Sequence, residues 1–458
     1  MPFDIRTIET PELGDRSYAI LAGDQAVVVD PQRDIDRVLT VLAEHGNRLT
    51  YVVETHIHND YVSGGPELCR ATGATHVIPA AEAVGYDRRA ISDGETLAIG
   101  PLTLRARHTP GHTATHTSYI LEEDGAPVAA FTGGSMLLGS VGRTDLAGPW
   151  VTDRLSHLQH RSAHTLSAAL PDEAAILPTH GFGSLCSAGF PVGAADTADA
   201  RHQRAENPAL LMEENAFVER LVSGLDAFPR YYAYIAPRNR EGAVAIDLDL
   251  PPLADARELA ARARLGEWVI DLRERGAFAA RHLVGTLGFE LSDPLTTYLG
   301  WLMPWGSPLS LIGGSETDLG RARRALARIG IDRIAACGIS EPVNGGGDPW
   351  TGLETASYPL VGFKELREFF GRDGEVVVDV RLRNEHAAGH LANSLSVPLH
   401  ELPDRLYEIP AGRVWVHCAA GYRAAVAGSL LARAGRDVMV VSDQIGNATA
   451  CGLELVTD

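Results

Sequence analysis

The chain has 458 residues, 45% hydrophobic and 22% charged, an ordinary soluble composition long enough for two to four domains. Its 59 acidic and 40 basic residues leave a formal charge of -19, which argues against a nucleic-acid or anionic-membrane partner, since both need a basic face. The opening stretch MPFDIRTIETPELGDRSYAI carries scattered charge in place of an apolar signal block, and no apolar run reaches the roughly 18 residues that span a bilayer. Cys69, Cys186, Cys337, Cys418 and Cys451 are few, odd in number and widely spaced, so they read as free thiols in a reducing cytoplasm.

From residue 17 to about 180, short runs rich in β-branched residues (SYAILA, AVVVD, YVVET, THVIPA, LTLRARH, TSYILEED, VAAFTGG, AAILPTH) alternate with turns and with helical stretches such as DIDRVLTVLAEHG, where Gly46 suits a C-cap. A layered α/β domain follows. Phe217, Val218, Leu221, Val222 and Leu225 fall on one stripe, which predicts an amphipathic helix over 208–228. FPRYYAYIAPRNREG closes this unit, and LPPLADA (250–256) reads as a stiff boundary. Beyond it lies an internal repeat: VIDLRERGAFAARHLVGTLGFEL from Val269 aligns with VVDVRLRNEHAAGHLANSLSVPL from Val377 at an offset of 108 residues. Each copy reads as a buried strand, a turn and a short helix, so two small doubly wound α/β domains are expected, joined through NGGGDP (344–349).

Three histidine-bearing turns follow strand-like runs: His56, His58 and Asp60 in THIHND, His112 in HTPGHT, and His180 in LPTHGFG. Alternate residues leaving a strand end point to one side, so these groups can converge on one ion, and imidazole with carboxylate suits zinc or iron. Arg143 and Asp145 in GRTD read as an internal ion pair.

THIHND, TPGHT, FTGG and GRTD resemble, in order and spacing, the motifs of the metallo-β-lactamase fold, most closely its persulfide dioxygenase and glyoxalase II branch. The resemblance implies an α/β multidomain chain, an αββα sandwich at 1–245 followed by rhodanese-like domains at 257–345 and 358–458. Two departures stand out. The family pattern H-x-H-x-D-H ends here in Tyr61, and the Asp of the family's FTGD is Gly134. Two-metal hydrolysis shares that carboxylate, so a single ion on His56, His58 and His112 is the expectation, with iron(II) favoured over zinc(II). In the related dioxygenases the iron ligands match His56, His112 and the missing carboxylate, so His58 or Asp60 is expected to move in as the third. Tyr61 reads either as a wall residue or as a hydroxyl for a bound water or substrate, and Tyr231 and Tyr232 either as packing or as lining of a thiol groove.

VWVHCAAGYRAAVAGSLLARAG places Cys418 between an apolar strand and a helix beginning near Arg423. Loop amides and the helix N-terminus favour an anion there, which makes the sulfur a nucleophile. Gly421 permits the tight loop and Arg423 adds positive charge. CAAGYR is C-x4-R, which resembles the active loop of rhodanese sulfurtransferases rather than the C-x5-R of phosphatases. Arg381, in the upstream motif, reads as structural with an option to face the pocket. The first copy has no cysteine at the matching place (LSLIGG), and Cys337 lies too far along to substitute.

The function expected is sulfane-sulfur metabolism: O2-dependent oxidation of a low-molecular-weight thiol persulfide to sulfite, coupled to sulfur transfer through a Cys418 persulfide. The rivals are thioester hydrolysis of glyoxalase II type and a metal-free persulfide carrier or sensor. The family likeness also points to self-association.

Overall fold

The computed structural model describes residues 3–181, 183–188, 198–341 and 347–457; residues 344–346 of the expected NGGGDP link lie outside them. The chain divides into two compact units, Met1–Asp247 with Ala327–Gly330, and Leu248–Leu326 with Ile331–Asp458.

The first unit is built on two six-stranded sheets. One runs in the order Phe3–Thr10, Asp15–Ala22, Gln25–Val29, Arg48–Val53, Thr75–Pro79, Arg89–Ile91; the other starts at Ala198–Asp199 and continues through Ala175–Pro178, Ala126–Gly133, Thr117–Glu123 and Leu102–His108 to Thr96–Ile99. Successive strand residues face opposite sides, and the sequence uses both. Tyr18, Ile20, Val27, Val29 and Val53 pack against Leu104, Tyr119, Leu121 and Phe131 between the sheets. Their neighbours Ala19, Leu21, Val28 and Val52 pack with Val38, Leu42 and Leu68, which lie on helices Asp36–His45 and Gly65–Thr72. On the far side Ile120, Ala130 and Ile176 meet Ala163, Leu166, Phe217 and Leu221 from helices Pro149–Ala169 and Glu214–Ser223. The result is an αββα sandwich.

Gly46 ends its helix in the left-handed conformation, φ 70°. The stripe over 208–228 is divided where one helix was expected. Met212 and Glu213 adopt extended backbone, and the Glu213 carboxylate accepts the Asn215 N–H, so a four-residue helix, Pro208–Leu211, precedes Glu214–Ser223. A local side-chain cap outweighs the continuous apolar pattern.

The second unit holds both copies of the repeat, each on its own parallel sheet. The first has the order Leu287–Gly288, Trp268–Asp271, Leu309–Gly313, Ile334–Ile339, and the second Leu360–Val361, Val438–Val441, Arg413–His417, Glu375–Asp379, Leu395–Ser396. The 108-residue offset persists in the hydrogen bonds. Arg273 clamps Asp271 and donates to the Arg281 carbonyl (2.8 Å), as Arg381 clamps Asp379 and donates to the Gly389 carbonyl (2.7 Å). His282 Nδ1 meets the Phe278 carbonyl as His390 Nδ1 meets that of His386.

Candidate metal centre and cysteine loop

The histidine turns of the first unit leave strand ends of both sheets: His56 follows Arg48–Val53 of one, and His112 and His180 follow Leu102–His108 and Ala175–Pro178 of the other. Thr55 and Thr179, each just before a histidine, are tied to the same carboxylate: the Thr55 N–H and hydroxyl donate to Asp30 at 2.7 Å, and the Thr179 hydroxyl donates to Asp30 at 2.5 Å. This anchor brings His56 and His180 together. Their ring centroids lie 5.3 Å apart, and His112 lies 4.8 Å from His56 and 5.3 Å from His180.

Each of the three rings is held through Nδ1. The Thr55 hydroxyl gives its proton to Asp30, so it accepts from His56 Nδ1–H at 2.9 Å. His112 Nδ1–H donates to the Arg143 carbonyl at 2.7 Å, and His180 Nδ1–H to Asp15 at 2.9 Å. That choice of tautomer leaves the Nε2 lone pairs as the ligand atoms. His56 Nε2 and His180 Nε2 stand 3.4 Å apart, and His112 Nε2 is buried with no hydrogen-bond partner among the described residues. Three converging imidazole lone pairs, one of them orphaned, fit a divalent cation. Burial and the neighbouring rings hold His56 well below its usual range and His112 down to about 3, so both are neutral and able to ligate.

The ring that gathers with His56 and His112 is His180, where His58 or Asp60 was expected as the third ligand. Those two form a second triad with the same His180. His58 Nε2 also lies 3.2 Å from Asp30 and 3.3 Å from Glu54. Burial alone would depress its ring, yet Asp30 and Glu54 carry it up to about 9. Asp60 sits 3.2 Å from His180 Nδ1. Tyr61 is fully buried, stacks on His58 at 4.3 Å and donates its hydroxyl to the Asp30 carbonyl at 3.2 Å, which places that oxygen on the protein backbone.

At Gly134 the space for a side chain is already filled. A Cβ there would stand 2.2 Å from His112 Cδ2, and one at Gly142 2.6 Å from His112 Nδ1. The His112 ring therefore leaves no room for a side chain at Gly134. Arg143 forms the expected pair with Asp145, at 2.7 and 2.8 Å, and its carbonyl orients His112. A cavity of about 350 Å³ opens beside the centre, lined in part by Asn59, Glu82, His112, Thr115, Tyr232 and Arg240. Tyr231 is buried edge-to-face against Tyr232 at 5.0 Å.

In the second unit Cys418 follows strand Arg413–His417 and is 2% exposed. The Gly421 N–H donates to its sulfur at 3.1 Å, with Gly421 at φ 97°, and helix Tyr422–Arg433 begins at the next residue. Arg423 does not lie loose beside the thiol; its guanidinium makes a bidentate pair with Glu385 at 2.5 and 2.7 Å. Arg381 is buried and spent on Asp379 and the Gly389 carbonyl. Asp15, Asp30, Glu385 and Tyr298 were not anticipated. Tyr298, from the copy without the cysteine, lies 5.7 Å ring to ring from Tyr422, and the charges of Arg423, Glu385 and Cys418 bear on its buried phenol.

The sequence profile of the Metallo-beta-lactamase superfamily matches residues 12–180, and that of the Rhodanese-like domain matches 363–445. Hydroxyacylglutathione hydrolase of Methylobacterium nodulans is 31% identical over 234 residues, 50% of this chain and 84% of that protein. The chain belongs to the metallo-beta-lactamase superfamily. Within that superfamily it is also similar to the mitochondrial persulfide dioxygenase ETHE1 of Homo sapiens, 29% identical over 209 residues, 44% of this chain and 75% of the relative. A crystal structure of a metallo-beta-lactamase from Staphylococcus aureus subsp. aureus COL covers 74% of this chain and 99% of its own, with TM-score 0.65 and 25% identity. The superfamily fold implies metal binding, and His56, His112 and His180 form one of three groups among the described residues that could hold an ion.

Proposed function

We propose that the protein is an enzyme of sulfane-sulfur metabolism, working in a reducing cytoplasm on a low-molecular-weight thiol persulfide and O2, with domains at 1–245, 257–345 and 358–458. In the first unit the persulfide RSSH, O2 and water become RSH and sulfite, the sulfane sulfur giving up the four electrons that O2 takes. The observation that carries this reading is the set of three Nε2 atoms on His56, His112 and His180 with no carboxylate at Gly134. Iron(II) bound there would supply open positions for sulfur and O2 side by side. The protein's part is to keep His56 and His112 neutral by burial and to aim all three rings, through Thr55, Arg143 and Asp15. Two-metal thioester hydrolysis is disfavoured because Gly134 supplies no shared carboxylate and the His112 ring leaves no room for a side chain there.

In the second unit Cys418 thiolate attacks the outer sulfur of a donor such as thiosulfate. The new S–S bond leaves a Cys418 persulfide and releases sulfite; a thiol then takes that sulfur as RSSH and restores the thiolate. The Gly421 N–H stabilises the negative sulfur in both states. The test is metal analysis of anaerobically purified protein together with O2 uptake on a thiol persulfide. The expected result is near-stoichiometric metal and uptake that His112→Ala abolishes. Clearly sub-stoichiometric metal, or uptake that survives His112→Ala, overturns the reading.

A further inference from the structure

The cavity beside His112 carries one charged pair. Glu82, 6% exposed, receives the Thr115 hydroxyl on one oxygen and faces Arg240 with the other, Oε2 to Nε 3.5 Å. A tight charge-assisted bond between such groups is nearer ~2.8 Å, so the pair is loose enough to part for a ligand. Arg240 is about half exposed (46%) and comes from helix Tyr232–Glu241, while Glu82 follows strand Thr75–Pro79. The rest of the lining includes Ile57, Leu146, Ala147, Ala236 and Pro237, apolar groups that suit a short aliphatic stem. Volume bounds the occupant: about 350 Å³ lies near the lower end of the ~300–1,000 Å³ usual for small-molecule sites.

We infer that Glu82 and Arg240 form a recognition site for the α-amino-acid head of the thiol, the carboxylate of Glu82 taking the ammonium and the guanidinium of Arg240 the carboxylate. A cation and an anion side by side, next to an apolar lining, match a zwitterion with an apolar stem, and they mismatch a thiol that carries only one of those charges. This inference rests on the proposed persulfide chemistry and names its substrate class. The same head occurs on cysteine and on the γ-glutamyl end of glutathione.

The experiment is titration calorimetry of the full-length metal-loaded protein with unreactive thioethers: S-methylcysteine, S-methylglutathione, methylthioethylamine (no carboxylate) and methylthiopropionate (no ammonium). At least one of the two zwitterions is expected to bind about tenfold or more tightly than either single-charge analogue, the ratio that loss of one charged hydrogen bond gives; the tighter of the two identifies the source. Arg240→Gln, a change at a half-exposed position, should bring S-methylcysteine down to the level of methylthioethylamine. Glu82→Gln should bring it to that of methylthiopropionate. Equal binding of all probes, or an unchanged ranking in Arg240→Gln, overturns the inference. O2 uptake on the same preparations separates the two readings: a zwitterion preference without uptake refutes the persulfide chemistry alone, and uptake without the preference refutes this site alone.

Discussion

The ring of His112 meets any side chain placed at Gly134, and it has little room to yield. Its Nδ1–H donates to the Arg143 carbonyl, and the backbone N–H of His112 donates to Gln159 Oε1 at 2.6 Å. Gly134→Ala is therefore expected to lower stability by about 1–3 kcal/mol, the usual cost of overpacking a dense interior, and to purify with less metal. Gly134→Asp restores a carboxylate yet should do worse, because the larger group displaces a ligand. Denaturant midpoints and metal content check both, and a Gly134→Asp protein richer in metal would show the argument to be mistaken. At His417 the prediction concerns pH. Burial holds this ring down to about 4, against its ordinary 6.5. Between those values the unfolded chain binds the extra proton, so stability falls as pH drops from 6.5 toward 4, by at most about 3 kcal/mol for this one group. His417→Asn should flatten the slope of unfolding free energy against pH in that window; an equal slope in both proteins counts against it. The histidines themselves were legible in the sequence because spacing after a strand is local. That His180 stands third, where His58 or Asp60 was expected, was not legible, since it depends on Asp15 and on the Asp30 anchor, contacts that span 165 and 149 residues.

Strand-and-turn order could be read across both units because apolar runs and the 108-residue repeat are written in single segments. The division of 208–228 could not, because one capping side chain decides it. The same local control governs the cysteine loop. Gly421 sits at φ 97°, where an added Cβ would stand 2.8 Å from Ser442 Oγ, while its N–H holds the Cys418 sulfur. A left-handed conformation costs an L-residue roughly 1–2 kcal/mol, so the loop in Gly421→Ala should relax to another conformation and carry that N–H away from the sulfur. Thiosulfate-to-thiol sulfur exchange is expected to fall by tenfold or more, since a hydrogen bond to a charged group is worth about 1.5–3 kcal/mol, with only a modest loss of melting temperature. Exchange at the wild-type rate would remove the N–H from the mechanism. The Arg423–Glu385 pair could not have been foreseen, since C-x4-R spacing fixes where Arg423 begins but says nothing of the helix Arg383–Ala388 that supplies its partner.

On the scale of the whole molecule, the proposed function gives one chain two chemistries that share a molecule: the persulfide released by one would be the substrate of the other. Linkage on one chain raises the local concentration of such an intermediate, up to about the millimolar range for short links, but it creates no dependence of either reaction on the other's residues. Cys418→Ser is therefore expected to abolish thiosulfate-to-thiol exchange while leaving O2 uptake on a supplied persulfide unchanged, and His112→Ala to do the reverse. With thiosulfate and thiol as the only sulfur source, both variants should lose O2 uptake, because that route needs each in turn. The decisive comparison is then a mixture of the two variants supplied with thiosulfate and thiol. If the intermediate leaves one site and diffuses to the other, the mixture recovers uptake, at a rate that rises with protein concentration, whereas the intact chain's rate per molecule stays flat. Recovery to the wild-type rate at high dilution would show that linkage contributes nothing. Loss of persulfide oxidation in Cys418→Ser alone would mean that the cysteine loop takes part in the oxygen chemistry itself.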